Sequence, residues 1–152
     1  MRFVIAATLA FAVIQAQPAA AAASSQSCAA ASEADIAKLF DRWNASLATL
    51  KATEVAKNYA TDAILLPTLS NKPRLTQAER IDYFEHFLKN QPRGRIDSRV
   101  ITIGCNGAVD AGTYTFTFKD GSLVPARYTY TYEYKDGKWL ISSHHSSAMP
   151  EK

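Results

Sequence analysis

A two-residue turn between alternating sequences constrains the fold of this chain more than any other feature. Asp136-Gly137 is typical of a tight β-hairpin, because both central turn positions need a positive φ. Tyrosines alternate with other residues over 127–134 before the turn, and the chain returns over 138–145. Successive side chains of a strand point to opposite faces of the sheet. We therefore predict two long antiparallel strands with the tyrosines on one shared face.

The sequence upstream of the hairpin begins with helical patterns. Ser32 with Asp35, and Thr76 with Glu79, resemble capping boxes, in which a side chain and a backbone N–H satisfy each other at a helix start. Apolar residues recur at helical spacing behind both boxes. Thr53 is placed to cap a shorter helix between them. The predicted helices cover residues 32–51, 53–59 and 76–91.

Extended segments follow the helices. A brief apolar strand over 62–66 ends at Pro67, and aromatic residues alternate with threonine over 113–118. A further strand is predicted over 96–103. Helices followed by a run of antiparallel strands predict an α+β fold, with the helices on one face of a curved sheet.

The N-terminus has the pattern of a cleaved secretory signal. Arg2 precedes an apolar run over 3–16, and the alanines over 19–23 suit a signal peptidase. We predict a signal peptide over 1–23, one mature domain over 24–152 and a periplasmic or secreted location. The whole chain carries a formal net charge of +3. Cleavage of the signal peptide removes Arg2 and lowers the net charge further. So small a positive charge argues against a nucleic-acid partner.

The mature chain has two cysteines, Cys28 and Cys105. An exported protein meets an oxidising compartment, so a disulfide between them is the economical interpretation. The alternative is two free thiols.

The last third of the chain resembles a known family. KDGKWL at 135–140, followed by His145-Ser146-Ser147 and Pro150, is similar to the C-terminal signature of the association (hub) domain of calcium/calmodulin-dependent protein kinase II. The resemblance is closest to stand-alone, exported bacterial relatives of that domain. Supporting segments are 59–63 with 66–67, 83–85 and 112–114. The resemblance implies a cone-shaped fold like that of nuclear transport factor 2 (NTF2). No kinase motif is present.

The resemblance also implies an assembly and a pocket. Hub domains pair through their sheets, so we expect a homodimer or a higher even-numbered oligomer. Their pocket lies between helix and sheet and accepts carboxylates. Arg127 and His145 are the candidates for gripping such a group, because an arginine fork matches a carboxylate. The further candidates for ligand contact are Trp43, Tyr59, Tyr114 and Tyr130.

The sequence predicts no metal and no cofactor. His144 and His145 are adjacent in a strand and so point to opposite faces, which is unfavourable for ligating one ion. A third histidine, His86, has no cysteine or carboxylate at ligand spacing.

Two other functions stay open at this point. A ketosteroid-isomerase or polyketide-cyclase type of enzyme needs a carboxylate base and a tyrosine in an apolar cavity. The candidate bases are Asp62, Asp110 and Glu133, with Tyr59, Tyr114 or Tyr130 as the tyrosine. The other alternative is a structural oligomer with a vestigial pocket. We expect a protein that assembles and binds a small molecule in a pocket, and we assign no reaction to it from the sequence.

Overall fold

The computed structural model describes residues 27–151, and the predicted signal peptide over 1–23 lies outside the described residues. Both predicted capping boxes are present: Ser32 with Asp35 starts helix α1 and Thr76 with Glu79 starts helix α3. A short helix, α2, lies between them. The helices are α1 (Glu33–Leu47), α2 (Ala52–Ala56) and α3 (Gln77–Phe87), and α3 runs into a 3-10 turn (Leu88–Asn90).

Helix α1 ends earlier than its apolar pattern predicts. Leu50 has φ 56°, a left-handed conformation that a helix interior does not accommodate. Its side chain is 51% exposed and does not extend the buried stripe. The next segment also differs, because Tyr59 pairs with Ile141 and so opens a strand where a helix end was predicted.

Five strands form one sheet, in the order β1-β5-β4-β3-β2. Only β1 is parallel to its neighbour, β5, whereas the other pairs are antiparallel. The helices cover one face, as predicted for an α+β fold. The strands are β1 (Tyr59–Leu66), β2 (Arg93–Gly104), β3 (Gly107–Thr117), β4 (Leu123–Lys135) and β5 (Lys138–Ala148).

One register shift lies in β1 between Tyr59 and Ile64, and two more lie in the antiparallel part of the sheet. Of these two, one lies between Ile96 and Ser98 of β2, and the other lies opposite Thr131 and Tyr132 of β4. The first requires glycine on the neighbouring strand, because a Cβ at Gly112 would lie 2.0 Å from the Ser98 carbonyl oxygen. The second falls in β5 just before the two histidines, and it decides which of them faces the interior.

The hairpin turn and the disulfide are both present as predicted. Asp136 and Gly137 have φ of 51° and 77°. Cys28 is bonded to Cys105, across 77 residues of sequence. The adjacent backbone N–H of Ala29 donates to Asn106 Oδ1 at 2.7 Å, so the start of the described chain is attached to the β2–β3 turn.

Candidate functional site

A cavity of about 370 Å³ lies between α3 and the inner face of the sheet. Its walls are aromatic and aliphatic, with Phe84 and Phe87 from α3 and Phe116 from β3. The segment after β1 closes one side, where Leu69 is 93% exposed at the rim. The polar side chains in its lining include His144, Ser146 and Thr68. A cavity of this size and composition is typical of a small-molecule site.

His144 is held by a two-step hydrogen-bond chain. The Trp43 indole N–H donates to the Tyr59 hydroxyl oxygen at 3.0 Å, and that hydroxyl lies 2.9 Å from His144 Nδ1. Tyr59 already accepts from Trp43, so we assign its own proton to the bond with Nδ1. The neutral imidazole then carries its proton on Nε2. This nitrogen is buried and has no partner among residues 27–151.

Three hydroxyl groups form a second chain beside the histidine. The Tyr114 hydroxyl donates to Ser146 Oγ at 2.6 Å, and Ser146 Oγ contacts Thr68 Oγ1. Ser146 Oγ and Thr68 Oγ1 are joined by one hydrogen bond, which uses the proton of one of the two hydroxyl groups. The proton of the second hydroxyl group in this pair points elsewhere. Since Thr68 and Ser146 both line the cavity, we expect this proton to be within reach of a ligand oxygen.

Burial keeps His144 uncharged. Loss of hydration lowers the pKa of His144 from 6.5 to about 3, and the neighbouring His145 acts in the same direction. Burial likewise raises the pKa values of Tyr59 and Tyr114 above their usual value of 10.0, so both hydroxyls stay protonated. The polar end of the cavity is therefore a set of neutral donors at neutral pH.

The depressed pKa of His144 predicts a pH-dependent stability. Below its usual pKa of 6.5 the unfolded chain binds the proton while the folded chain stays neutral down to about 3. Stability should therefore fall with decreasing pH over this window, by up to about 1.4 kcal/mol per pH unit. Urea denaturation across this window should show a shallower loss for His144→Phe than for the wild type. The exposed neighbour His145 provides the control. If His145→Ala showed the same shallow dependence of stability on pH as His144→Phe, the assignment of the effect to His144 would be contradicted.

A buried carboxylate exists, but it lies outside the cavity lining. Asp110 is fully buried and accepts from the Tyr128 hydroxyl at 2.8 Å and from Arg99 Nε at 3.1 Å. The other two candidate bases are placed differently: Asp62 is exposed, and Glu133 lies on the outer face of β4. Among the described residues that line the cavity, none is Asp or Glu. The three carboxylates considered as isomerase bases therefore lie outside this lining.

Arg127 and His145, the candidates for gripping a carboxylate, are not among the residues that line the cavity. Arg127 is exposed on the outer face, where its Nε donates to Ser147 Oγ at 3.1 Å. His145 is exposed on the same face, opposite Thr129. The reason is the register shift in β5: Ile141 pairs with Tyr132 and Ser143 with Thr131, so Ser142 is an extra residue that reverses the alternation.

The aromatic candidates divide into lining and supporting residues. Trp43 and Tyr114 line the cavity, whereas Tyr59 lies behind His144. Tyr130 stacks on His144 with ring centroids 4.1 Å apart. Whether any of them contacts a ligand stays a prediction. Sequence reasoning missed His144, Ser146 and Thr68 as site residues. It missed the first two because the regular hairpin register places odd-numbered residues of β5 opposite the buried tyrosines and only the extra residue Ser142 changes this.

Among residues 27–151, no group of three or more His, Cys, Asp or Glu side chains is placed to hold a metal ion.

None of the helices within the described range is long and apolar enough to cross a membrane.

The fold and the cavity define an NTF2-like domain, and the comparisons identify its family. Residues 32–150 match the calcium/calmodulin dependent protein kinase II association domain, and the chain belongs to this family. A protein from Xanthomonas campestris described as such an association domain is 50% identical, with TM-score 0.75, over 84% of this chain and 98% of its own. No curated protein matches.

More distant structures share the fold. An NTF2-like protein from Pseudomonas putida is 15% identical with TM-score 0.69, and the alignment covers 78% of this chain and 87% of that one. An iota-carbonic anhydrase from a cyanobacterium, solved with bicarbonate, is 22% identical with TM-score 0.72, over 81% of this chain and 95% of its own. At these identities the likeness is one of fold.

Proposed function

We propose that the cavity binds a small planar oxyanion, with bicarbonate the first candidate, and that the protein catalyses the reversible hydration of CO2. One observation carries this proposal: His144, whose buried Nε2 has no partner among residues 27–151, lines a mainly apolar cavity together with the hydrogen-bonded pair Thr68 and Ser146. Each donor is held in place by a tyrosine behind it.

The chemistry of the reaction fits these features. CO2 is apolar and enters a cavity with phenylalanine walls without losing strong hydration. As water adds to its carbon, a C–O bond forms, one C=O bond of CO2 opens and negative charge develops on the oxygens, while the attacking water gives its proton to a buffer base from solvent at the mouth of the cavity. Fixed donors in a water-poor site stabilise such a charge more in the transition state than in the ground state. His144 and the Thr68–Ser146 pair would supply these donors.

The distant neighbour suggests which oxyanion to test first. The cyanobacterial iota-carbonic anhydrase of the same fold was solved with bicarbonate. Its identity of 22% supports the fold alone, so the case for this chain rests on its own donors. A non-catalytic site for carboxylates, the role predicted from the hub resemblance, is the second candidate, and the apolar volume beyond the donors favours it.

Exchange of ¹⁸O between labelled bicarbonate and water, followed by mass spectrometry, tests the reaction. The mature chain should accelerate the exchange in proportion to protein concentration, and His145→Ala should retain that rate. Saturable bicarbonate binding without acceleration would favour the non-catalytic site. Absence of both would contradict the proposal.

We also propose that the protein assembles through the outer face of the sheet. This face carries no helix within the described residues, and it displays Val100 at 72% and Val109 at 39% exposure beside a row of threonines. Membership of an association domain family supports pairing of this surface. The disulfide and the N-terminal signal pattern support a periplasmic or secreted location.

Light scattering tests the assembly. The mature protein should be at least dimeric at micromolar concentration. Thr129→Lys, which places a charge in the middle of the outer face, should shift it towards monomer. The matched control is Ser122→Lys in the exposed β3–β4 turn, and it should leave the mass unchanged. A monomeric wild type would contradict the proposal.

A further inference from the structure

We propose that Arg80 is a positioning residue that gives the cavity its preference for an anion, acting through Tyr59 and His144. This inference rests on the proposed function, since it concerns the charge of the ligand that the cavity accepts.

Arg80 is a buried cation without a carboxylate partner. Its side chain is 1% exposed. The guanidinium donates to the carbonyl oxygens of Ala63 at 2.6 Å, and of Ala60 and Thr61 at 2.9 Å each. Its Nε is buried and has no hydrogen-bond partner in the described part of the chain. Carbonyl dipoles satisfy donors but carry no net charge, so the positive charge stays uncompensated.

The acidic residues around Arg80 do not neutralise it. Glu79 is paired with Lys72 at 2.9 Å and also accepts from the N–H groups at the start of α3. Asp62 is exposed to solvent, where its charge is screened. Within residues 27–151, no carboxylate oxygen lies within 4.0 Å of a guanidinium nitrogen of Arg80. Arg99 is a contrast, because its guanidinium lies 3.1 Å from Asp110.

The charge of Arg80 is connected to the cavity through one aromatic ring. Its guanidinium carbon lies 5.8 Å from the ring centroid of Tyr59, over the ring. The Tyr59 hydroxyl in turn lies 2.9 Å from His144 Nδ1. A cation beside the phenol strengthens its O–H as a donor and disfavours protonation of the imidazole. Arg80 therefore favours the form of His144 that carries its proton on Nε2.

An anion in the cavity would complete this arrangement. The guanidinium carbon of Arg80 lies 5.8 Å from the ring centroid of Tyr59, and that centroid lies 6.3 Å from the ring centroid of His144. The guanidinium is therefore at most about 12 Å from the ring of His144. At an effective dielectric constant of about 20, a unit charge at this distance favours an anion over a neutral ligand by about tenfold. Since Arg80 is not among the residues that line the cavity, its effect should depend on ligand charge and little on ligand shape.

Acetate and acetamide, which share a shape and differ in charge, separate these effects. NMR titration of the wild type should give an affinity for acetate about tenfold higher than for acetamide. Arg80→Met should lose most of this preference while keeping its affinity for acetamide, and Arg80→Lys should restore it. The control is Arg93→Met, which removes an exposed charge and should leave the preference intact.

The outcomes separate the inference from the function on which it rests. If the wild type binds bicarbonate but has equal affinities for acetate and acetamide, the proposed role of Arg80 is overturned and the proposed function stands. The same holds if Arg80→Met keeps the full preference. If wild type binds none of these ligands, both proposals fail. If Arg80→Met does not fold, the ratio of acetate to acetamide affinity in the wild type and in Arg80→Lys still tests the role of Arg80.

Discussion

Replacing His144 with phenylalanine should lower kcat/KM for CO2 hydration by about 100-fold, the usual effect of removing one oxyanion donor. Phenylalanine retains a ring that stacks on Tyr130 but lacks the Nε2–H that we propose as the oxyanion donor. The loss should appear mainly in kcat, because the donor stabilises charge that is greatest in the transition state. Stopped-flow measurement of CO2 hydration gives both constants.

His145→Phe is the matched control, because it makes the same substitution at the next residue. His145 lies on the outer face and has no access to the cavity, so its variant should retain the wild-type rate. If both variants lost activity equally, the effect would reflect damage to β5 and the role of His144 would be wrong. A fully active His144→Phe would contradict it as well.

Removing the disulfide should have the largest effect on stability. Cys28 and Cys105 close a loop of 77 residues, for which the chain-entropy estimate of stabilisation is about 4 kcal/mol. Cys28→Ala with Cys105→Ala should therefore unfold at a clearly lower urea concentration than the oxidised wild type. The mechanism is restriction of the unfolded chain, so contacts at the cavity need not change.

Two measurements separate this effect from local damage at the β2–β3 turn. Reduction of the wild type should destabilise it by a similar amount, whereas reductant should not affect the double variant. Bicarbonate affinity should stay unchanged wherever the variant is folded, because neither cysteine lines the cavity. A free energy of unfolding within about 1 kcal/mol of the wild type would contradict the estimate.

The architecture was predictable because local signals agreed with one another. The two capping boxes started α1 and α3 at the predicted residues, and Asp136-Gly137 set the β4–β5 turn. The cysteines had only one possible intramolecular partner. What the sequence could not provide was the end of α1 at Leu47, three residues before the positive φ of Leu50.

The site was less predictable because it depends on a long-range feature. Alternation along β5 places His145 on the face of Ile141, but the extra residue Ser142 reverses this and places His144 inside. Such a register shift arises from pairing with β4 and leaves no mark in the local pattern. Thr68 was missed for a similar reason, since only the folding of the loop after β1 brings it to Ser146.

The central claim is that His144 presents Nε2–H to an oxyanion in the cavity, and NMR of ¹⁵N-labelled protein titrated with bicarbonate at neutral pH tests it most directly. We expect the proton on Nε2, none on Nδ1, and a saturable shift of the Nε2–H resonance as bicarbonate binds. His144 signals that stay unchanged during the titration, or a proton found on Nδ1 in the complex, would contradict the claim.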